Sequence, residues 1–178
     1  MSGPIVYLCE KPDQARKIAQ AIGRPQPKDG HILANGNSIV TWAFGHLFMQ
    51  KMPEDYNEEL KYWKWDTLPI IPKPFEYKAR DGSVRKQIKI INDLLKKASM
   101  VVVSTDADRE GELIAYEILT QLRYNGPIKR LWLSDLTLPA IQKALANLRD
   151  GSETKPLYHA ALARSCADWL VGMNGTRA

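Results

Sequence analysis

The apolar run MVVVS at residues 100–104 constrains the fold of this chain more than any other segment. A continuous apolar run rich in β-branched residues is typical of a strand buried on both faces, as in a parallel sheet. Apolar residues at helical spacing precede it at 88–98 and follow it at 113–122. Because parallel strands are joined by helical crossovers, the run predicts an α/β fold with right-handed connections.

The remaining segments repeat this alternation of strand and helix. Residues 5–9 predict a first strand, and the apolar spacing that follows Pro12 predicts a helix ending at Gly23. Asn35-Gly36 between two apolar runs predicts a β-hairpin that delivers His46 to a loop. Three further segments complete the pattern: an irregular surface segment at 49–82, a strand at 128–133 and a helix at 138–148.

Length and composition indicate one domain and part of another. The chain has 178 residues, of which 44% are hydrophobic, and this is enough for one packed core. We expect residues 1–152 to form that domain, and residues 153–178 to be the first helix of a following, truncated domain. No apolar run reaches the eighteen or more residues of a transmembrane helix, so no membrane partner is expected. The first residues lack a signal-peptide pattern, which favours a cytoplasmic protein.

The charged residues are unevenly distributed. The chain carries 25 Lys and Arg against 20 Asp and Glu, a balance that is compatible with a polyanionic partner without requiring one. Against that basic background, four carboxylates lie within seven residues: Asp106, Asp108, Glu110 and Glu112. Cys9 and Cys166 lie far apart and without a CxxC pattern, which disfavours a disulfide framework and a cysteine zinc site.

Acidic residues follow two of the predicted strands. Glu10 comes after the first strand, and Asp106 and Asp108 come after the valine-rich one. Functional sites of open parallel sheets lie beyond the carboxyl ends of the strands, so these carboxylates converge if the two strands are neighbours. Two carboxylates about 4 Å apart repel each other by roughly 4 kcal/mol at an effective dielectric constant of 20. The site therefore calls for a cation or a shared proton, and oxygen ligands alone favour Mg²⁺ or Mn²⁺.

Two other interpretations of the acidic cluster stay open at this point. Acidic residues in the first turn of a helix also stabilise the helix dipole, which would account for Glu110 and Glu112. A DxD pattern after a hydrophobic strand also occurs in phosphatases of the haloacid dehalogenase type, in which Asp106 would be the nucleophile. Glu110 stands where the threonine of their DxDxT pattern would be, which argues against a phosphatase.

An ordered set of motifs along the whole chain resembles the type IA DNA topoisomerases, with the topoisomerase III branch as the nearest match. The motifs are EKP at 10–12, GHL at 45–47, LPI at 68–70, TDADREGE at 105–112, RLWLS at 130–134, and AR at 163–164 with ADWL at 167–170. The resemblance implies a Toprim domain at residues 1–152, which is a Rossmann-like parallel sheet flanked by helices, with a β-hairpin insertion. Residues 153–178 would then belong to the next topoisomerase domain.

The resemblance also implies an activity and roles for individual residues. Such enzymes cleave and rejoin single DNA strands through a 5′-phosphotyrosine, and their nucleophilic tyrosine would lie outside this chain. The implied partners are single-stranded DNA and the remainder of the topoisomerase, in the cytoplasm at the nucleoid. The implied catalytic set is Glu10, Lys11, Asp106, Asp108 and Glu110, of which the four acids would bind Mg²⁺ or Mn²⁺. The implied DNA-binding residues are Lys11, His46, Arg109, Arg164 and Asp168.

Each of these assignments has a simpler alternative. Lys11 and Arg109 can form salt bridges that neutralise the acidic cluster, and Arg164 and Asp168 can form an i,i+4 ion pair on one helix. A lone histidine such as His46 is usually structural. The aromatic residues Tyr62, Trp63 and Trp65 can stack on bases or attach their segment to the domain. A free-standing Toprim module, which binds Mg²⁺ and nucleic acid without cleavage, is the main alternative for the whole chain.

Overall fold

A computed structural model of the protein describes residues 3–62 and 64–178; Trp63 lies outside the described residues. The strands, in chain order, are β1 (Ile5–Cys9), β2 (Gln26–Lys28), β3 (His31–Ala34), β4 (Ser38–Trp42), β5 (Phe48–Gln50), β6 (Tyr77–Ala79), β7 (Met100–Val103), β8 (Ile128–Arg130) and β9 (Arg149–Asp150). The helices are α1 (Pro12–Ile22), α2 (Pro53–Tyr56), α3 (Arg85–Leu95), α4 (Arg109–Gln121), α5 (Leu138–Leu145) and α6 (Gly151–Gly175).

The described residues form one seven-stranded sheet, in the order β2-β3-β4-β1-β7-β8-β9, and a separate pair, β5-β6. The four central strands are parallel, and the strands at both edges are antiparallel. This confirms the predicted α/β class. Strands β1 and β7 are direct neighbours, with Leu8 opposite Val103. Their carboxyl ends therefore lie side by side, as the convergence of Glu10 and Asp106 requires.

Helices cover both faces of the central sheet. Val101 and Val103 pack into the core beneath α3 and α4, whereas Val102 belongs to the core beneath α1 and α5. All three valines have an exposed fraction of 1% or less. Side chains of a strand point alternately to opposite faces, so a strand covered on both sides must be apolar at every position. This packing explains the unbroken apolar run.

The predicted hairpin is present and carries His46 into a loop. Strands β3 and β4 pair antiparallel from Ala34–Ser38 to His31–Thr41. Gly36 and Asn37 in the turn have φ angles of 66° and 58°, in the left-handed region that glycine and asparagine tolerate best. Strand β2 was not predicted, because Pro25 and Pro27 indicated only a helix stop. Pro27 is tolerated there since β2 lies at the edge of the sheet.

The prediction of an irregular segment at 49–82 was wrong in one respect. Strands β5 and β6 pair across the segment, with Phe48 opposite Ala79. Between them lie α2 and two short 3-10 turns, Glu58–Lys61 and Trp65–Thr67. Trp169 of α6 packs edge-on against Phe75, with ring centroids 5.6 Å apart, and its Nε1–H donates to the carbonyl of Lys51. The segment is thus held against α6.

Helix α6 begins at Gly151, two residues before the helix that the sequence predicted at 153–178. Asp150 accepts the N–H of Ser152, and the Glu153 carboxylate accepts the N–H of Asp150, so these residues form a capping box. The helix packs along α4, where the Tyr116 hydroxyl donates to the carbonyl of Gly151. The assignment of residues 153–178 to a following domain stays a prediction. Among the described helices, none combines the length and apolar character needed to span a bilayer.

Candidate active site

Lys11 joins the two carboxylates that follow neighbouring strands. Its Nζ lies 3.2 Å from Glu10 Oε1 and 2.9 Å from Asp106 Oδ2. The predicted convergence of Glu10 and Asp106 is therefore present, and Lys11 forms the salt bridge that the simpler interpretation predicted. These hydrogen bonds, first to Asp106 and then to Glu10, raise the pKa of Lys11. The lysine side chain is 57% exposed, so solvent and ligands can reach it.

Gln14 on the first turn of α1 makes a second link between the same two strand ends. Its Oε1 accepts the N–H of Glu10 at 2.9 Å, and its Nε2 donates to Asp106 Oδ1 at 3.1 Å. This residue was not predicted from the sequence. The signal that could have found it is a polar residue next to Ala15 on the apolar face of α1, where a buried amide needs hydrogen-bond partners.

Asp108 and Glu110 take no part in the Lys11 bridge and have other partners. Asp108 is the N-cap of α4 and accepts the N–H of Gly111 at 2.7 Å. Glu110 instead contacts His46, with 2.8 Å between Glu110 Oε1 and His46 Nε2. Within residues 3–62 and 64–178, no three His, Cys, Asp or Glu side chains are arranged as a ready metal cage. The four predicted metal ligands therefore occupy one edge of the sheet without forming a closed set.

His46 lies between two glutamates. Its Nε2 contacts Glu110, and its Nδ1 lies 3.3 Å from Glu117 Oε2. The hydrogen bond to Glu117 is the largest influence, and together with Glu110 it outweighs partial burial and raises the pKa of His46 to about 9. His46 is therefore a cation at neutral pH. Glu117 was not identified from the sequence, although it is an acid among the apolar residues of the buried part of α4.

Glu112, the fourth acid of the cluster, does not face the site. It forms an ion pair with Arg130, and both side chains are fully buried. The other carboxylate oxygen of Glu112 accepts the Thr154 hydroxyl of α6 at 3.0 Å. Arg130 also donates to the carbonyl oxygens of Thr105 and Asp106, at 2.9 and 2.7 Å. This buried network holds the backbone of the loop that carries Asp106.

A cavity of about 870 Å³ opens next to these residues, between α4, α6 and the His46 loop. Arg109 is exposed on its wall and makes no ion pair with any described residue. On the opposite wall, Arg164 Nε lies 3.6 Å from Asp168 Oδ2, with both side chains more than 70% exposed, so the predicted i,i+4 pair is present. All the predicted site residues except Glu10, Lys11 and Asp106 line this cavity: His46, Asp108, Arg109, Glu110, Arg164 and Asp168.

A second cavity of about 340 Å³ lies on the other side of the acidic loop. Gln14, Asp106, Asp108, Trp132 and Ser134 contribute to its lining. Asp108 borders both cavities, and Asp106 borders only the smaller one. The acidic loop therefore borders two cavities, a larger one lined by both basic and acidic side chains and a smaller one whose charged lining residues are all acidic.

The Toprim domain family matches residues 5–136, which are most of the chain. The chain belongs to the Toprim domain family. This Toprim domain is 47% identical over 175 residues to DNA topoisomerase 3 of Staphylococcus haemolyticus (strain JCSC1435), and 46% identical to DNA topoisomerase 3 of Staphylococcus aureus (strain USA300). Those alignments cover 97% of this chain but only 24% of each relative. The chain thus spans about a quarter of the length of these relatives.

The same Toprim domain is similar in fold to a solved topoisomerase. Full-length topoisomerase I from Thermotoga maritima matches it with a TM-score of 0.61 and 22% sequence identity, over 93% of this chain and 24% of the other. The likeness supports the Rossmann-like architecture. The family match also removes the basis of the phosphatase alternative, which depended on the DxD pattern alone.

Proposed function

We propose that this Toprim domain is the metal- and phosphate-handling part of a type IA DNA topoisomerase of the topoisomerase III branch. The observation that carries the proposal is the meeting of Glu10, Lys11 and Asp106 at the carboxyl ends of β1 and β7. The relatives named DNA topoisomerase 3 support it, because their similarity extends over 97% of this chain. The proposed partners are single-stranded DNA and the rest of the enzyme, in the cytoplasm at the nucleoid.

The donor set fits Mg²⁺, for which Mn²⁺ can substitute. Asp106 and Asp108 line the same small cavity, and the Asp106 side chain is 42% exposed, so water can complete a coordination shell. Both would be the main ligands, and Glu10 and Glu110 would complete the proposed set. A bound Mg²⁺ supplies positive charge where these carboxylates would otherwise repel DNA phosphate. Lys11, which pairs with both Asp106 and Glu10, offsets part of the same negative charge.

The basic side chains of the site are suited to phosphate. Arg109 is exposed and free of ion pairs among the described residues, so its guanidinium can bind two phosphate oxygens. Arg164 is paired only with exposed Asp168, and such pairs contribute little and exchange easily. His46 lines the same cavity and is a cation at neutral pH, paired with Glu110 and Glu117. In this arrangement Glu10 would handle the proton at the leaving 3′ oxygen.

The nucleophilic tyrosine is proposed to lie outside this chain. Tyr77 lines the larger cavity, but burial is the main cause that raises its pKa to about 12, which makes it a poor nucleophile. The Tyr116 hydroxyl is buried and donates to a backbone carbonyl, and the Tyr124 hydroxyl donates to the carbonyl of Pro127. We therefore expect this chain alone to form no covalent adduct with DNA and to leave supercoiled plasmid unchanged.

A chimera tests the proposal directly. This chain would replace the aligned 175 residues of the Staphylococcus haemolyticus DNA topoisomerase 3. The chimera should relax negatively supercoiled plasmid in Mg²⁺, and its Asp106→Asn variant should not. A chimera that binds single-stranded DNA yet never relaxes plasmid would favour the free-standing binding module instead. A covalent adduct formed by the 178-residue chain alone, mapped to one of its own tyrosines, would contradict the assignment of the nucleophile.

A further inference from the structure

Gln14 places a buried amide between the two halves of the proposed site. The residue is 3% exposed, and its oxygen and nitrogen each contact a different strand end. The orientation of the amide is determined by its partners. If the amide were rotated, its NH₂ group would face the N–H of Glu10 and its oxygen would face the Asp106 carboxylate, and both contacts would be repulsive.

The contacts of Gln14 differ in kind from those of Lys11. Both donate to Asp106, Lys11 to Oδ2 and Gln14 to Oδ1. Lys11 has a long, exposed side chain, so a cation that approaches Asp106 can replace it. Gln14 is a buried residue of α1, and movement of its side chain away from this position would leave the N–H of Glu10 without its hydrogen-bond partner. Gln14 can thus keep its hydrogen bond to Asp106 Oδ1 when a cation replaces Lys11 at Oδ2.

We infer that Gln14 is a positioning residue that orients the Asp106 carboxylate for the metal. The inference depends on the proposed function, because it takes Asp106 as a ligand. Hydrogen bonds to ligating groups fix their orientation, and removal of such a partner typically lowers metal affinity about 10- to 100-fold. Gln14 also joins the backbone N–H of Glu10 to the side chain of Asp106.

The test is a Mg²⁺ titration of the 178-residue chain, followed by thermal unfolding and by calorimetry, with EDTA as the baseline. Gln14→Met fills a similar volume but removes both hydrogen bonds. Gln14→Asn, which keeps an amide too short to span both partners, is the milder second variant. Gln87→Met is the matched control, because Gln87 is 5% exposed and its Nε2 donates to the carbonyl of Trp42 at 2.7 Å, with no contact to the acidic residues.

Gln14→Met should weaken Mg²⁺ binding about tenfold or more, and Gln14→Asn should weaken it in the same direction. Gln87→Met should lower the melting temperature in EDTA while leaving the Mg²⁺ affinity close to that of the wild type. The inference fails if both Gln14 variants bind Mg²⁺ as tightly as wild type, or if Gln87→Met weakens binding equally. A wild-type chain with no response to Mg²⁺ would instead overturn the proposed metal site, and this inference with it.

Discussion

Two ion pairs near the carboxyl ends of neighbouring strands differ in how far they are exposed to water, and this difference decides what each pair can do. Lys11 and Asp106 meet at the surface, with side chains 57% and 42% exposed. Arg130 and Glu112 meet in the interior, where both are 0% exposed. Water screens the first pair, so its partners remain available to a cation or a phosphate. The second pair is shielded from water, so removal of either partner leaves an unpaired charge in the protein interior.

The buried pair supports the exposed one. Arg130 donates to the carbonyls of Thr105 and Asp106, while Glu112 accepts the Thr154 hydroxyl. The backbone of the loop that carries Asp106 is therefore held by an arginine whose own side chain is fully buried. The comparison predicts that substitutions at the buried pair affect stability first, whereas substitutions at the exposed edge affect ligand binding first. Four measurements test that contrast.

Removal of the buried arginine should have the largest effect. Arg130→Met leaves Glu112 buried and unpaired, and we expect it to lower the free energy of unfolding by about 3–5 kcal/mol in urea denaturation. Lys129→Met is the control, because Lys129 pairs with Asp150 at the surface and its loss should cost under about 1 kcal/mol. Arg130→Met combined with Glu112→Leu should recover much of the loss. Equal losses for Arg130→Met and Lys129→Met would remove the contrast between the two pairs.

His46 should produce a pH dependence that neither pair shows. Its pKa is about 9 in the folded protein and about 6.5 when unfolded, so its stabilisation is complete below pH 6.5 and is lost as pH rises through 9. The shift corresponds to about 3 kcal/mol across that window. His46→Gln should flatten the fall in unfolding free energy between about pH 6.5 and pH 9. The control variant His159→Gln should show the same fall as the wild type. An unchanged pH profile in His46→Gln would contradict the role of the two glutamates.

The metal site should contribute a smaller and purely ligand-dependent stabilisation. Binding adds RT ln(1 + [L]/Kd), so a site of millimolar affinity gives about 1 kcal/mol at several times Kd. Asp106→Asn with Asp108→Asn should abolish this Mg²⁺ increment in thermal unfolding, while an asparagine side chain at the N-cap can still cap α4. Asp93→Asn, a change on α3 away from the acidic loop, should keep the increment. If the double variant responds to Mg²⁺ as wild type does, the metal lies elsewhere.

Arg164 should have the smallest effect on stability and a clear effect on DNA. Loss of its exposed pair with Asp168 costs only about 0.2–0.5 kcal/mol. Arg164→Glu should nevertheless weaken binding to a single-stranded oligonucleotide and reduce the salt slope by about 0.7 for each phosphate that the protein no longer neutralises. Lys97→Glu is the control, because it makes the same change of charge at a position beyond the end of α3. It should weaken DNA binding less than Arg164→Glu does. Equal weakening in both variants would indicate non-specific attraction rather than a site in the larger cavity.

Much of the fold, and the central part of the candidate site, could be predicted because the relevant signals are local. The valine run, the hairpin turn and the apolar spacing of α1 each identify an element from adjacent residues. The convergence of Glu10 and Asp106 followed from the rule for the ends of neighbouring parallel strands. The pairing of β5 with β6 could not be predicted, since it joins residues far apart in a proline-rich segment. The start of α6 was predicted two residues late, at 153, because glycine is a poor helix former, yet Gly151 is the first helical residue and Asp150 caps it.

Local sequence was sufficient for the class of fold and for the edge of the sheet at which the carboxylates gather, because periodicity and strand-end position depend only on neighbours along the chain. Long-range packing settled that β1 and β7 are adjacent and which carboxylates face that edge. Glu112 belongs to the same acidic run as Asp106, yet its pairing with Arg130 places it in the core. Gln14 and Glu117 belong to the candidate site only because folding brings Asp106 and His46 beside them. Since these partners are distant in sequence, the residues around Gln14 and Glu117 do not indicate the contacts.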